Sequence, residues 1–461
     1  MMMSRRGLLL GAAASAVLPL SRVAAASLPR AVDIVVIGAG AAGLAAARRI
    51  VAAQRSVVVV EASGRIGGRC FTDTTSFDAP FDRGARWLHN PDDNPLIKPA
   101  RGAGMDLHPV SPGQKIRIGR RNARAGEAED FLATLVRARR AIDDAARGRA
   151  DMSCAAALPN DLGDWASTVE FVLGASATGK DLRDLSAQDK ARAQERIAAI
   201  ACRQGLGALL EKLGEGLPVA LGTPARRIVW SGREVSVDTP AGRIDARAAI
   251  VTVSSNVLAS GRIQFAPELP KRQLDAAANL GLGSYDRIAL QLPGNALGLG
   301  RDETVIERSK DARTALLMAN VGGSSLCTLD VAGSFGRELA AQGEAAMVAF
   351  AREWLAGLFG SDAVAKVGRS AVTRWNADPL VLGAMSAASP GGQPSRRVLA
   401  EPFGNVFVAG EATHETMAGT VGGAWESGER AADAALKKIG PVKPPPPQKQ
   451  PRTRKRVSHP R

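Results

Sequence analysis

Asp33-Ile34-Val35-Val36-Ile37-Gly38-Ala39-Gly40-Ala41-Ala42-Gly43-Leu44 runs from an apolar stretch into three closely spaced glycines and out again into alanines. Gly38, Gly40 and Gly43 have the G-x-G-x-x-G spacing, and their setting predicts a strand, a tight turn and a helix. Gly38 permits the turn, Gly40 lets the backbone approach a pyrophosphate, and Gly43 lets helix and strand pack closely, with phosphate over the positive helix end. A second apolar run, Val57 to Val60, ends on Glu61. A carboxylate there accepts hydrogen bonds from both ribose hydroxyls and repels a 2′-phosphate. The expected ligand is therefore FAD or NAD rather than NADP.

Working outward, the chain has 461 residues and is 45% hydrophobic, enough for two sizeable cores. Its net charge of +15 first suggests nucleic acid. Residues 1–30, however, carry four arginines and no acid, and nine lysines or arginines without an acid lie from Lys437 onward, leaving +2 for the body between. A nearly neutral body removes the main support for a nucleic-acid partner, and none is expected. Residues 32–110, 205–262 and 395–438 are expected to build a doubly wound, Rossmann-type α/β domain, with short strands through Arg227 to Trp230, Val235 to Asp238 and Ile250 to Val253. Residues 111–204 with 263–394 are expected to form a second, α+β substrate domain, helical from Glu129 through Ala201. The site is expected in the cleft between them.

Ser4-Arg5-Arg6-Gly-Leu-Leu-Leu, a short Ala/Leu run and Ala24-Ala25-Ala26 follow the order of an export signal. The paired arginines resemble a twin-arginine signal. Residues 1–26 are thus expected to be removed, and the mature chain to lie in the periplasm or outside the cell. That route carries folded proteins, which suits a chain that must first fold around a cofactor. Residues 441–461, with Pro444 to Pro447 and Arg452 to Arg456, cannot bury a core. An extended basic tail is expected, either solvated or resting on an anionic surface. Cys70, Cys154, Cys202 and Cys327 show no C-x-x-C spacing, and His89, His108, His414 and His459 no ligand pattern, so no metal is expected. Buried thiols are expected, with one long-range disulfide left open by an oxidising compartment.

Directly after Glu61, Gly64-Arg65-Ile66-Gly67-Gly68-Arg69 offers backbone N–H groups and two forked cations to phosphate. An NAD dehydrogenase has no need of such a cluster. Phe81 to Trp87 adds another small-residue turn, and Asn405 to Thr413 reads as a strand and acidic turn ahead of a helix from Val421 to Leu436. With the Trp375 run (Val372 to Pro379) and the Gly/Ala/Ser pattern through Ala432, these motifs in order resemble the flavin-dependent amine oxidase family over about residues 32 to 438.

The resemblance implies FAD held non-covalently, since Ala384 stands where some members link a cysteine to it. It implies that Gly38, Gly40, Gly43 and Glu61 hold the ADP half, that Arg65, Gly67, Gly68 and Arg69 hold the pyrophosphate, and that Ala225 also binds the cofactor. Gly84, Ala85, Arg86 and Trp87 would line the flavin edge, with Glu411 near the ribityl chain and Gly410 also binding the cofactor. The backbone at Gly419, Thr420 and Val421 would face the pyrimidine side, where a helix N-terminus stabilises negative charge. Arg287, Trp375 and Thr420 are the residues implied at the reacting centre. The implied chemistry moves hydride from the carbon bearing a neutral amine to flavin N5, after which the imine hydrolyses. The electrons pass to O₂ or a periplasmic acceptor, and the substrate is a small-molecule amine or amino acid.

The chain also departs from the family pattern. Arg287 stands where a lysine usually holds a water near N5; arginine holds water but does not readily lose its proton. A dehydrogenase with a periplasmic acceptor thereby stands beside an oxidase. Met385 and Thr420 replace two aromatic residues that flank the amine in many members, which predicts a more aliphatic pocket. Arg86 is the nearest cation for the carboxylate of an amino acid, as in L-amino-acid oxidases and tryptophan 2-monooxygenase-like proteins. His414 is a candidate to help deprotonate the amine, although burial alone favours the neutral form. A carotenoid-desaturase-like or protoporphyrinogen-oxidase-like flavoprotein shares the N-terminal fingerprint but not the Ala409-Gly410-Glu411 and Trp375 runs. A flavin-carrying protein without turnover is the reading that Arg287, Met385 and Thr420 prompt.

Overall fold

The computed structural model describes residues 28–110, 113–196 and 198–441. The expected export signal and the basic tail beyond Pro441 lie outside them. The quoted run forms the strand Ala31–Ile37 and the helix Ala41–Ala52. This strand lies inside a parallel set in the order Val219–Ala220, Val57–Val60, Ala31–Ile37, Gly242–Val251 and Val406–Val408. Gly242–Val251 is long enough to serve two partners on the edge away from Ala31–Ile37: its first half pairs antiparallel with Val235–Thr239, and its last three residues pair parallel with Val406–Val408.

Alternation along these strands separates two cores. Ile34, Val36, Val57, Val59 and Ile250 face the helices Ala41–Ala52, Leu206–Gly214 and Val421–Ile439, while Val35, Ile37, Val58, Val60 and Val251 face the opposite side. A sheet buried on both faces is what continuous Val/Ile runs produce. Small residues decide how closely the helices approach. A Cβ on Gly428 of the last helix would lie 2.0 Å from the Ala42 carbonyl oxygen, and one on Gly43 would lie 1.9 Å from that of Gly38.

The second sheet runs Ser370–Val372, Tyr285–Gln291, Leu326–Ala332, Leu316–Met318, Thr304–Glu307, Gln114–Ile118 and Arg121–Asn122. Ile288, Leu290, Leu329 and Val331 point into a core closed by the helix Glu344–Phe359. Period-two geometry therefore turns Tyr285, Arg287, Asp330, Leu316 and Met318 to the other face, where they line a cavity.

Two expectations need correction. The strand Gln264–Ala266 pairs with Arg227–Val229 in the first sheet, and Ala276, Ala277 and Leu280 pack in that sheet's core, so the first body extends past residue 262 to about Leu280. The stretch expected to be helical through Ala201 is helical over Ala125–Ala146, from Ala166 to Thr178 and over Ala187–Arg192, but ends in the strand Ala199–Cys202, paired with Leu107–Val110. Its alternating burial, with Ile200 and Cys202 inside, is too short to stand out among alanines. All four cysteines are buried and free.

Gly43→Ala tests the closest of these contacts. A methyl 1.9 Å from a backbone oxygen forces the helix off the strand, which costs about 1–3 kcal/mol for overpacking. The purified variant should melt lower and carry less flavin per protein by absorbance; unchanged flavin content and melting would refute the contact.

Candidate active site

A cavity of about 690 Å³ runs from the first glycine turn to the start of the last helix. Its wall contains Gly38, Gly40, Glu61, Arg65, Gly67, Gly68 and Arg69 at one side, Gly84, Ala85, Arg86, Trp87, Ala225, Arg287 and Trp375 along it, and Gly410, Glu411, Gly419, Thr420 and Val421 at the other. Gly43 alone of the expected set is absent from the wall, because it serves the packing beneath it.

The two glycine clusters meet back to back. Gly67 N–H donates to the Ala39 carbonyl at 2.9 Å, and a Cβ on Gly68 would come within 3.3 Å of the Gly40 Cα. Gly38 has φ +103°, where a side chain is strained, and Thr252 Oγ1 would lie 2.5 Å from its Cβ. Glu61 is held by its own turn, accepting from Ala39 N–H at 2.7 Å and Ser63 N–H at 2.8 Å.

The arginines are more committed than their sequence setting implies. Arg65 donates to the Gly68 carbonyl at 2.8 Å and stacks over Phe71 at 4.3 Å, so it braces the turn. Arg69 Nη1 donates to the Ala384 carbonyl at 2.7 Å and to Glu411 at 2.8 Å. Glu411 also accepts from Ser386 Oγ at 2.6 Å and Gly419 N–H at 2.8 Å. Burial pushes its pKa up, but Arg69 and these donors outweigh that and hold it below the usual carboxylate value.

Arg86 requires a correction. It does not present a free cation to a substrate carboxylate: Nη2 pairs with Asp330 at 2.5 Å, and Nη1 donates to Met318 Sδ and Thr328 Oγ1. Asp330 also accepts from Arg287 Nε at 2.8 Å and Tyr285 Oη at 2.7 Å. Burial opposes its charge, but Arg287 and Arg86 lower its pKa. Arg287, opposite Asp330 in register, also donates from Nη1 to the Asp82 carbonyl and, at 2.8 Å, to that of Gly84. Nothing in the local sequence around Asp330 marks it; only strand pairing brings it to the site. Leu316 and Met318 reach the wall in the same way, and Arg196 reaches it from the loop before the strand Ala199–Cys202.

Trp375 lines the cavity and donates to the Arg83 carbonyl at 3.1 Å. His414 does not line it. Its Nδ1 accepts from Met417 N–H at 2.9 Å, its Nε2 faces Glu426 at 3.4 Å, and burial lowers its pKa. It orders the loop before the last helix and is not placed to take a substrate proton. Among the described residues no group of acids, histidines and cysteines forms a metal site.

Residues 41–436 match the model of the flavin containing amine oxidoreductases. The chain belongs to that family. Its relatives in this family include probable polyamine oxidase 4 of Arabidopsis thaliana, 29% identical over 87% of this chain and 86% of that protein. Lysine-specific histone demethylase 2 of Homo sapiens is 28% identical over 87% of this chain and 53% of that protein. The chain thus spans about half the length of the first curated relatives it matches. Cyclohexylamine oxidase from Brevibacterium oxydans IH-35A superposes with a TM-score of 0.74 at 20% identity, covering 88% of this chain and 99% of that one. A putrescine oxidase bound to putrescine gives 0.73 at 19%, covering 88% and 98%.

This flavin amine oxidoreductase has a wall that fits FAD. The strained Gly38, the paired Gly40 and Gly68, and Glu61 at the strand end form a cradle that any added Cβ would fill or distort. The N-terminus of the helix Val421–Ile439 opens into the same cavity, with Thr420 Oγ1 accepting from Gly423 N–H at 2.9 Å.

Asp286 lies beneath Trp375 and yields a pH test. Its Oδ1 accepts from Trp375 N–H at 2.8 Å and Thr373 Oγ1 at 3.0 Å, while Oδ2 has no partner. Burial raises its pKa from 3.8 to about 6. A carboxyl raised on folding stabilises while protonated, so its contribution is full below the unfolded value and is lost as pH rises through the folded one. The shift from 3.8 to about 6 corresponds to about 3 kcal/mol at most. Glu411 and Asp330, both lowered, act only below their ordinary values of 4.5 and 3.8. Relative to Asp286→Asn, the natural protein should therefore lose thermal stability between about pH 5 and 7; a constant difference across that range would exclude this titration.

Proposed function

We propose that this chain oxidises the C–N bond of a small amine carried in its neutral form. The observation that carries the reading is the single continuous cavity joining the dinucleotide cradle to a pocket walled by Val172, Leu316, Met318 and Met385. A bound flavin supplies the acceptor for the hydride leaving the amine-bearing carbon, and water hydrolyses the imine to a carbonyl product and ammonia or an amine. The protein's residues set the conditions. Trp375 and the turn at Gly84 shape one wall, and Thr420 caps the last helix, whose start lines the cavity and would face a bound flavin. Arg86, Arg196 and Arg287 share the cavity with Asp330, and like charge disfavours an incoming ammonium. Burial and this field together favour loss of its proton without a dedicated base.

Names of relatives and neighbours, polyamine, cyclohexylamine and putrescine oxidases, support the amine class. For the electron acceptor we favour a soluble redox partner over dioxygen, because Arg287 occupies the lysine position and is tied by Asp330, Asp82 and Gly84. Burial opposes its charge, yet Asp330 and Tyr285 raise its pKa, so it holds its proton. The paired arginines at Arg5 and Arg6 support work outside the cytoplasm, where such a partner would be met.

Anaerobic mixing with an amine panel should bleach the flavin band. Reoxidation by cytochrome c should then outrun reoxidation by air by at least about tenfold, and Arg287→Lys should narrow the gap, since lysine exchanges its proton more readily. Equal rates in the natural protein would sink the acceptor assignment. A flavin silent to every amine would sink the oxidase reading and favour the protein without turnover.

A further inference from the structure

A second cavity, of about 700 Å³, adjoins the first and shares Val172, Ala177, Arg196, Met385 and Gly419 with it. It runs between the helix Ala125–Ala146 and the segment from Ser186 to Arg196, and its wall is crowded with charge. Most of that charge is matched. Arg396 pairs with Asp189 at 2.6 Å, Arg139 with Glu195, Arg192 with Glu415 at 3.5 Å, and Arg147 with Asp144. Lys190 has no ion pair among the described residues, and burial lowers its pKa to about 8, with Asp143 only a lesser opposing influence. Arg196 is the cation that lines both cavities. Its one hydrogen bond is a long one, from Nη2 to the Ala418 carbonyl at 3.4 Å, and it has no carboxylate partner among the described residues. It is exposed, like the rest of the run from Ala191, and it lines both cavities, while the protein packed round it lowers its pKa by burial.

Arg196 stands where the two cavities meet. Its Nη2 would be 3.4 Å from a Cβ on Gly419, beside the start of the last helix. The acids nearest the substrate pocket are unavailable to a cation. Asp330 is held by Arg86, Arg287 and Tyr285, and Glu411 by Arg69, Ser386 and Gly419. The pocket therefore holds more arginine than carboxylate, and one guanidinium keeps donors to spare.

Building on the amine-oxidase reading, we infer that the second cavity is the substrate's entrance and that Arg196 receives a carboxylate on the substrate. The substrate class is amines of the amino-acid type rather than polyamines. A guanidinium fork matches a carboxylate in two parallel hydrogen bonds. A polyamine's second ammonium would find Asp330 and Glu411 already paired in the first cavity and, among the acids in the wall of the second, only Asp143 without an ion pair.

Binding and turnover test this separately. The holoenzyme is titrated with benzoate and with uncharged benzamide, followed by the flavin difference spectrum and by calorimetry. Benzoate should bind at least about tenfold more tightly, the worth of one charge-assisted pair. Arg196→Gln should erase that preference, and Arg196→Lys should restore part of it. Equal binding of the two probes, or benzoate affinity unchanged in Arg196→Gln, overturns the inference. So does loss of flavin from Arg196→Gln, which would make Arg196 a cofactor ligand. In turnover, phenylalanine should bleach the flavin faster than phenethylamine or spermidine, and the order should reverse in Arg196→Gln. Faster bleaching by phenethylamine or spermidine in the natural protein overturns the inference while leaving amine oxidation intact. If no amine bleaches the flavin, amine oxidation falls, and the benzoate comparison still decides whether Arg196 binds a carboxylate.

Discussion

The Glu411 carboxylate ties together three distant stretches of the chain. It accepts from Arg69 beside the second glycine turn, from Ser386 in the loop of the second body, and from Gly419 at the start of the last helix. Arg396 extends the network, donating to Ser386 Oγ at 3.1 Å and pairing with Asp189. A charge this deep is tolerable only because every side of it is met. Remove one partner and the rest is left unpaired in a dry interior, a loss of roughly 3–5 kcal/mol in comparable buried pairs. The cofactor cavity is the space these three stretches enclose, so the same carboxylate that holds the two bodies together also sets the cavity's far wall.

Asp330 plays a matching part on the second sheet. One carboxylate draws in Arg86 from the turn, Arg287 from the neighbouring strand and Tyr285 two residues away from Arg287. Its position depends on alternation along Leu326–Ala332, since a slip of one residue would send Asp330 into the helix-facing core and Leu329 into the cavity. The electrostatic character of the pocket is thus a consequence of strand register. Because the two arginines outnumber the acid, the pocket stays hospitable to anions after all its internal pairs are made.

What was legible in the sequence was local. Gly38, Gly40, Gly43 and Glu61 act through backbone geometry within one strand–turn–helix unit, and that unit can be read from spacing alone. The motifs at Gly67, Gly84 and Gly419 were legible for the same reason, and all reach the cavity wall. What was not legible was the partner of each charge. Arg86 looked available because Asp330 lies 244 residues away in sequence, and Arg69 looked free because Glu411 lies 342 away. Ala199–Cys202 and Gln264–Ala266 were misassigned because a strand of three or four residues owes its existence to its neighbours, not to its own pattern.

This contrast explains why family membership was easier to reach than substrate class. Cofactor binding rests on backbone N–H groups and on the absence of side chains, which few residue types can provide. Substrate choice rests on which charges remain uncancelled once the chain has folded, and cancellation is a property of pairs. Two arginines can therefore end in opposite roles: Arg86 is paired with Asp330 at 2.5 Å, whereas Arg196 meets only a carbonyl at 3.4 Å. Of the two, only the second has binding capacity left for a ligand, and its place between the cavities means that an entering molecule passes it before reaching the flavin site.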